Sequence, residues 1–344
     1  IKNRINMDTK KVYSPNKNKN FYSINEILNK IFFTFKKKRK IFFELFYLLF
    51  TLKIYHRISA KILNLIIKLF GYNFYNDSSI LRLFFFSSIR GMSIDTIFSI
   101  REKIFSNIEI NDKLIPDSKY KDIVIEIRKN GFCDISNLFN FNDQEIDKLI
   151  KYFHAQKLYN GHDPLQSDLK KILYNQINQK IDHEIFGKGY FSYDVETSLG
   201  NELINTLFNS IELKKIANYY CGFDTQPYTL STMLNIKKNI DHPVTKFHRD
   251  TDDFITLSYF IYWTKTSKNN GATKYIVGSH RDKFVDTKNE KILELKPGSI
   301  IAGDWMGLHS GNNKMEDNER LITMIRFGKK INQSYMQTKS YYFF

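Results

Sequence analysis

The chain has 344 residues and a formal net charge of +16, with 52 lysine and arginine residues against 36 aspartate and glutamate residues. This length can bury a sizeable core, and one domain with an added extension is the simplest partition. Two cysteines, Cys133 and Cys221, lack Cys-x-x-Cys spacing, which argues against a disulfide framework or a zinc module and favours a reducing compartment.

No apolar run reaches the roughly 20 residues that span a bilayer, and residues 1–20 lack the apolar core of a secretory signal, so we expect a cytoplasmic protein. Ile1 is not an initiator methionine, which is typical of a fragment or a trimmed gene start.

The basic charge is concentrated in the first third of the chain. Residues 1–107 hold 20 basic residues against 6 acidic ones, and large apolar residues are interleaved with them over residues 31–50. We predict a helical extension, rich in Phe, Ile and Lys, over residues 1–115. Three alternatives stay open for it: a subdomain packed on the rest of the chain, peripheral contact with the anionic inner membrane surface through residues 31–70, or compositional bias alone. Specific nucleic-acid binding is not expected, because no recognised nucleic-acid module accompanies the basic residues.

Two helices are predicted in the middle of the chain. Asn142 and Glu145 stand at the spacing of a capping box, and the apolar residues that follow fall on one helical face, as expected for a helix packed against a sheet. A second helical segment is predicted over residues 201–220, with Gly222 as its C-cap.

From Tyr228 onward the pattern changes to short apolar or alternating segments separated by Gly, Pro and Asn. Such a succession of short strands is typical of a sandwich or jelly roll, so we predict a mainly β fold with flanking helices. The predicted strands cover residues 229–236, 244–250, 254–263, 273–277, 292–295, 299–302 and 321–327.

One short motif indicates chemistry. His248 and Asp250 are two positions apart, so on an extended strand their side chains share a face while Arg249 points to the other. His309, in a loop after a predicted strand, is the candidate third ligand. Two imidazoles and one carboxylate are the ligand set of non-haem iron(II) oxygenases. His-x-Asp by itself arises often by chance, and the surrounding motifs are what strengthen it.

The order and spacing of these motifs resemble the phytanoyl-CoA dioxygenase family of iron(II)- and 2-oxoglutarate-dependent oxygenases. After His-x-Asp come an Asn-Gly segment at Asn270, a Gly-Ser-His turn ending at His280, the distal His309, and Arg320 eleven positions later. Val277 replaces the proline that usually opens the Gly-Ser-His turn. The resemblance covers about residues 122–328. It implies a double-stranded β-helix, cupin-like, over residues 116–335, followed by a tail over residues 336–344.

The resemblance also implies roles. His248, Asp250 and His309 would hold Fe(II), and Arg320 would pair with the distal carboxylate of the cosubstrate 2-oxoglutarate, since a guanidinium offers two parallel donors to a carboxylate. Dioxygen would be the second cosubstrate, and a small organic or acyl substrate would be hydroxylated with release of succinate and carbon dioxide.

Asp250 argues against halogenation, because halogenating enzymes commonly lack this carboxylate. A cupin-like protein that binds a metal or ligand without turnover is the alternative. Neither the substrate nor the oligomeric state follows from the sequence.

Other residues near the motifs have two interpretations each. Trp263 and Trp305 are candidates to line the pocket, although tryptophans in such positions more often serve packing. His280 is expected to belong to the scaffold rather than to the metal site. The Asp252–Asp253 pair is expected to be solvated. The less favoured candidates for the 2-oxoglutarate contact are Arg249, Arg281 and Arg326.

Overall fold

The computed structural model describes residues 53–72, 92–110, 118–160, 172–177, 190–236, 246–251, 253–311 and 319–329. Much of the predicted extension and the predicted tail over residues 336–344 lie outside the described residues, as does Asp252. The domain limits given above stay predictions.

Helices flank the strands throughout the described residues. The α-helices are α1 (Lys53–Phe70), α2 (Ile94–Ile110), α3 (Ser118–Asn130), α4 (Asp143–His154), α5 (Tyr174–Ile177), α6 (Val195–Leu199), α7 (Glu202–Phe208) and α8 (Ile211–Cys221). Short 3-10 helices cover Ser136–Leu138 and Thr287–Asn289. None of the described helices combines the length and apolar character needed to cross a membrane.

The described strands form two antiparallel sheets. They are β1 (Phe132–Asp134), β2 (Lys157–Asn160), β3 (Ile172–Leu173), β4 (Tyr190–Tyr193), β5 (Thr225–Asn235), β6 (Leu257–Tyr262), β7 (Thr273–Ile276), β8 (Glu290–Leu293), β9 (Ser299–Gly303), β10 (His309–Ser310) and β11 (Arg320–Lys329). The large sheet has the order β1-β9-β6-β11-β5-β4-β2-β3, and the small sheet has the order β10-β7-β8. The prediction of a mainly β fold with flanking helices is confirmed.

The central strand β11 separates two apolar clusters. Its even-numbered residues Ile322 and Met324 belong to a cluster that also contains Tyr275 and Leu293 of the small sheet. Its odd-numbered residues, such as Leu321 and Ile325, belong to the larger cluster that includes the helices. Since alternate residues of a strand face opposite sides, the large sheet has an outer face toward the helices and an inner face toward the small sheet.

The predicted start of α4 is confirmed in detail. The Asn142 side chain accepts a hydrogen bond from the Glu145 N–H, and the Glu145 carboxylate accepts one from the Asn142 N–H, both at 2.9 Å. These two bonds satisfy donors that the first helical turn leaves without intrahelical partners. The buried residues Ile146, Leu149 and Phe153 form the face that packs on the core.

The single helix predicted over residues 201–220 is wrong, because the structure has two helices there. The Ser210 hydroxyl accepts a bond from the Leu213 N–H and starts α8 as its N-cap, so the chain turns between α7 and α8. Four-residue apolar spacing continues across this turn, which is why periodicity alone missed it. The C-cap at Gly222 is confirmed, with a left-handed φ of 76°.

Most of the later strands are confirmed within a few residues, but the strand predicted over residues 244–250 is not. In the described part of that segment only an isolated bridge pairs His248 with His309. The segment is held by other bonds, including one from the Asp250 N–H to the Trp305 carbonyl at 2.9 Å.

Helix α1 has two apolar faces of different exposure. Leu63 is fully buried in the core, whereas Ile62, Leu65 and Leu69 are exposed. The predicted membrane contact through residues 31–70 stays a prediction, and most of that range lies outside the described residues.

Candidate metal centre

His248, Asp250 and His309 meet at one point. Among the described residues they form the one group of three or more potential metal-ligating side chains, with ligand atoms within 4.8 Å of one another. Asp250 Oδ1 lies 3.7 Å from Nε2 of His248 and 3.8 Å from Nε2 of His309. The backbone brings the histidines together, since the His248 N–H donates to the His309 carbonyl at 2.8 Å and the reverse bond is 3.0 Å.

Hydrogen bonds fix the form of both imidazoles. Nδ1 of His248 lies 2.8 Å from the Lys246 carbonyl, and Nδ1 of His309 lies 2.9 Å from the Gly307 carbonyl. A carbonyl only accepts, so each Nδ1 carries a proton and Nε2 is the ring atom left to bind a cation. Burial lowers the pKa of His309 to about 4, which keeps this ring neutral near pH 7.

Asp250 supplies the negative charge of the site. Burial is the largest single influence and would raise the pKa of its carboxyl, but Arg326, His309 and His248 together outweigh burial and hold that pKa below its ordinary value. The Nε2 atoms of two imidazoles and one carboxylate oxygen suit a divalent cation such as Fe(II), which favours nitrogen and oxygen ligands.

Arg249 fixes the backbone on the other side of the motif. Its Nη1 donates to the Ser279 carbonyl at 2.6 Å and to the Met306 carbonyl at 2.7 Å, and its Nη2 donates to the Asp282 carbonyl at 3.2 Å. These bonds join the His248–Asp250 segment to the loop that precedes His309. Arg249 is thus occupied in holding the ligand segments together.

Aromatic and apolar residues enclose the ligands on the inner side. The Trp305 ring lies edge-on to His309, with 4.8 Å between ring centroids, and packs against Phe260 at 4.3 Å. Trp305 also shares the inner cluster with Met324 and Ile301. The structure therefore places Trp305, a predicted pocket residue, beside the candidate ligand His309.

Trp263 lies on the other face of the large sheet from the three candidate ligands, and its assignment to the pocket stays a prediction. It is fully buried on the outer face, where Nε1 donates to the Thr323 hydroxyl at 2.8 Å and the ring packs against Phe141. Trp263 follows Tyr262, which faces inward, so the alternation of the strand sends its ring outward. Its contacts there are packing contacts with the outer cluster.

The other histidine and aspartate near the motifs also lie away from the ligands. His280 is fully buried beside Phe105, with Nε2 3.1 Å from the Arg128 carbonyl. Asp253 is buried rather than solvated, and it accepts a bond from the Phe254 N–H at 2.7 Å.

Arg320 lies at the start of β11 on its inner face. Its side chain is buried, and Nη1 donates to the Gly271 carbonyl. Tyr262 on β6 lies opposite Ile322 in the strand register, so it shares the inner face with Arg320, which is two residues from Ile322 on β11. The Tyr262 hydroxyl in turn bonds the Thr273 hydroxyl at 2.9 Å. This end of the inner face is therefore cationic and rich in hydroxyl groups.

Arg326 lies on the same face of the same strand. Its Nη2 donates to Asp250 Oδ2 at 2.6 Å, and its Nε donates to the Ser258 hydroxyl at 2.8 Å. From the sequence, Arg326 was a less favoured candidate to contact the carboxylate of 2-oxoglutarate. In the structure it pairs with one of the three candidate metal ligands. The third less favoured residue, Arg281, lies over the Phe105 ring at 5.3 Å.

A buried ion pair that the sequence did not indicate supports the loop leading to His309. Asp304 Oδ2 accepts bonds from Nη2 of Arg101 at 2.6 Å and from the Tyr220 hydroxyl at 2.5 Å. Asp304 Oδ1 accepts the Met306 N–H at 3.0 Å. Arg101 comes from α2, within the predicted extension, so this helix contributes to the core beneath the site.

Comparisons with known proteins show similarity in structure only. The chain is similar to the non-heme alpha-ketoglutarate-dependent epimerase SnoN from nogalamycin biosynthesis, with 14% identity, a TM-score of 0.44 and coverage of 61% of this chain and 83% of that one. It is similar to EctD from S. alaskensis with 2-oxoglutarate and 5-hydroxyectoine, with 17% identity, a TM-score of 0.42 and coverage of 60% and 74%. It is also similar to EvdO2 from Micromonospora carbonacea var. aurantiaca complexed with 2-oxoglutarate, with 14% identity, a TM-score of 0.41 and coverage of 62% and 91%. No protein-family model and no curated protein matches the sequence. Because every one of these TM-scores is below 0.5, the assignment of function rests on the site itself.

Proposed function

We propose that this protein is an Fe(II)- and 2-oxoglutarate-dependent dioxygenase that hydroxylates a small organic or acyl substrate. The observation that carries the proposal is the convergence of His248, Asp250 and His309, with two Nε2 atoms and one carboxylate oxygen around a single point. These three residues would hold Fe(II), and two imidazoles with one carboxylate are the ligand set of iron(II) oxygenases that use a 2-oxo acid and dioxygen.

We also propose that the two sheets form a double-stranded β-helix of the phytanoyl-CoA dioxygenase type. The support is the order of the motifs together with the position of the ligands, which lie where the small sheet meets the inner face of the large one.

Each part of the site has a task in this reaction. When bound, Fe(II) supplies the coupling of dioxygen reduction to the decarboxylation of 2-oxoglutarate, which yields succinate and carbon dioxide. The bonds at Nδ1 of His248 and His309 keep both rings in the form that binds a cation. Trp305 and Phe260 exclude water from the inner side of the ligands.

Arg320 orients the cosubstrate in this proposal. Its buried guanidinium stays charged at any working pH and can donate two parallel bonds to the distal carboxylate of 2-oxoglutarate. The hydroxyl groups of Tyr262 and Thr273 are the nearby polar groups that would complete the carboxylate site.

The experiment is a succinate assay with the purified protein. The protein is loaded anaerobically with Fe(II), mixed with 2-oxoglutarate and exposed to air, alone and with a panel of small organic acids, amino acid derivatives and acyl thioesters. We expect succinate from the wild type and none above background from Asp250→Asn. Asp286→Asn, which changes an exposed carboxylate at a surface 3-10 helix, is the matched control and should behave as the wild type.

Two outcomes would contradict the proposal in different ways. Metal binding without succinate across the whole panel would favour the alternative of a cupin-like metal-binding protein without turnover. Failure to bind any divalent metal would remove the metal site itself.

A further inference from the structure

We propose that Arg326 is a positioning residue that makes Asp250 a one-oxygen metal ligand and so keeps a third coordination position open. The inference rests on the metal site of the proposed function, but not on its reaction. It concerns Arg326, Asp250 and Ser258, whose contacts are all on the inner side of the large sheet.

The two oxygens of the Asp250 carboxylate face different partners. Oδ2 accepts a bond from Arg326 Nη2 at 2.6 Å, whereas Oδ1 is the oxygen that faces Nε2 of His248 and of His309. A short bond between a guanidinium and a carboxylate is charge-assisted and stronger than a neutral hydrogen bond. A metal among the two imidazoles would therefore meet Oδ1 alone.

Arg326 is itself held in place from several directions. Only 4% of it is exposed. Its Nε donates to the hydroxyl of Ser258, the residue directly opposite it on β6, and its Nη2 lies 3.6 Å from Met324 Sδ. Rotating the guanidinium away from Asp250 would break the Nε bond as well and would leave a half-buried carboxylate without this partner.

The number of open positions follows from the number of protein atoms on the metal. A six-coordinate ion with two imidazoles and one carboxylate oxygen keeps three positions, but with both carboxylate oxygens it keeps only two. A 2-oxo acid that binds through two atoms and a dioxygen molecule need three. Arg326 thereby makes room for both cosubstrates on the same ion.

The test counts water molecules on a bound metal, without 2-oxoglutarate or turnover. Mn(II) is added to the purified protein, and the relaxation of water protons reports how many exchangeable waters the bound ion holds. Wild type should show the value for three waters. Arg326→Met, which keeps a long apolar side chain but loses the donors, should lose about one third of that relaxation as Oδ2 turns to the metal.

Two further variants make the result specific. Arg326→Lys keeps a charged donor near Oδ2 and should retain most of the wild-type relaxation. Arg128→Met removes a buried arginine of α3, whose Nη2 donates to the Tyr219 carbonyl and which has no place in the metal site, so Mn(II) relaxation should equal that of the wild type. The Mn(II) affinity is not the deciding quantity, because losing a nearby positive charge and losing the ligand geometry act in opposite directions.

An unchanged relaxation per bound Mn(II) in folded Arg326→Met would overturn the proposal. If circular dichroism shows that this variant does not fold, Arg326→Gln decides instead, since its shorter polar side chain keeps a hydrogen-bonding group in the buried position without reaching Oδ2. The same one-third loss is expected there, and its absence would equally overturn the proposal. A wild type that binds Mn(II) with three waters but makes no succinate would leave Arg326 in this role while contradicting the oxygenase proposal.

Discussion

Replacing Arg101 with methionine tests how the helical extension supports the site. Arg101 and Asp304 are both almost completely buried, and their side chains are joined at 2.6 Å. Removing one partner of a buried ion pair costs about 3–5 kcal/mol, because the other charge stays buried without its counterion. Asp304 would still accept bonds from the Tyr220 hydroxyl and the Met306 N–H, so we expect the lower end of that range, about 3 kcal/mol.

The assay is urea unfolding followed by circular dichroism. Lys103→Met is the matched control, because Lys103 lies on the same helix with its side chain exposed, and such a change should alter the free energy of unfolding by no more than about 0.5 kcal/mol. The double variant Arg101→Met/Asp304→Asn should recover part of the loss, since it removes the unpaired negative charge. If the free energy of unfolding falls no more in Arg101→Met than in Lys103→Met, the conclusion that this ion pair anchors α2 in the core is refuted.

Three further predictions concern single residues. Arg320→Ala should raise the KM for 2-oxoglutarate about 10- to 100-fold, the worth of a charged hydrogen bond, and leave Fe(II) affinity unchanged; an unchanged KM would assign the distal carboxylate to another residue. Burial lowers the pKa of His280 to about 4, against an ordinary value of 6.5. The unfolded chain therefore binds a proton at His280 at a higher pH than the folded protein does, and the folded protein loses stability as the pH falls from about 6.5 to about 4. Over that interval the free energy of unfolding, measured with urea at each pH, should fall by about 3 kcal/mol more in the wild type than in His280→Gln. Equal pH dependence of the two proteins would contradict this. Asn142→Ala should cost about 1 kcal/mol in the same assay at neutral pH while Asn142→Asp keeps the cap, and equal stability of Asn142→Ala and wild type would count against the capping box.

The parts of the fold that follow from local patterns were predictable. The capping box at Asn142, the left-handed cap at Gly222 and the short strands all depend on residues that are neighbours in sequence. The prediction was wrong in two places for different reasons. The N-cap Ser210 is a local signal that the continuous apolar spacing masked. The segment around His248 is held by bonds to distant loops instead of a strand ladder, and no local pattern indicates those bonds.

The candidate site was predictable to the same extent. His248 and Asp250 are close in sequence, so their shared side follows from local geometry, and the resemblance supplied His309. The proton positions on the imidazoles, by contrast, depend on the carbonyls of Lys246 and Gly307, whose directions no sequence pattern encodes. The contribution of Arg101 was hidden for another reason: it is one of the 20 basic residues in residues 1–107, and only the fold distinguishes it from those that face solvent.

The positions of Arg320 and Arg326 relative to each other follow from strand periodicity. They are six positions apart on one strand with no bulge between them, so an even separation alone places both on the inner face. A strand of this length separates their Cα atoms by roughly 20 Å, so the two arginines are not equivalent candidates for contact with one carboxylate. Asp250 is the anion that pairs with Arg326, so Arg326 is engaged at the candidate metal site, and the distal carboxylate of 2-oxoglutarate is the anion proposed for Arg320 at the other end of the same face.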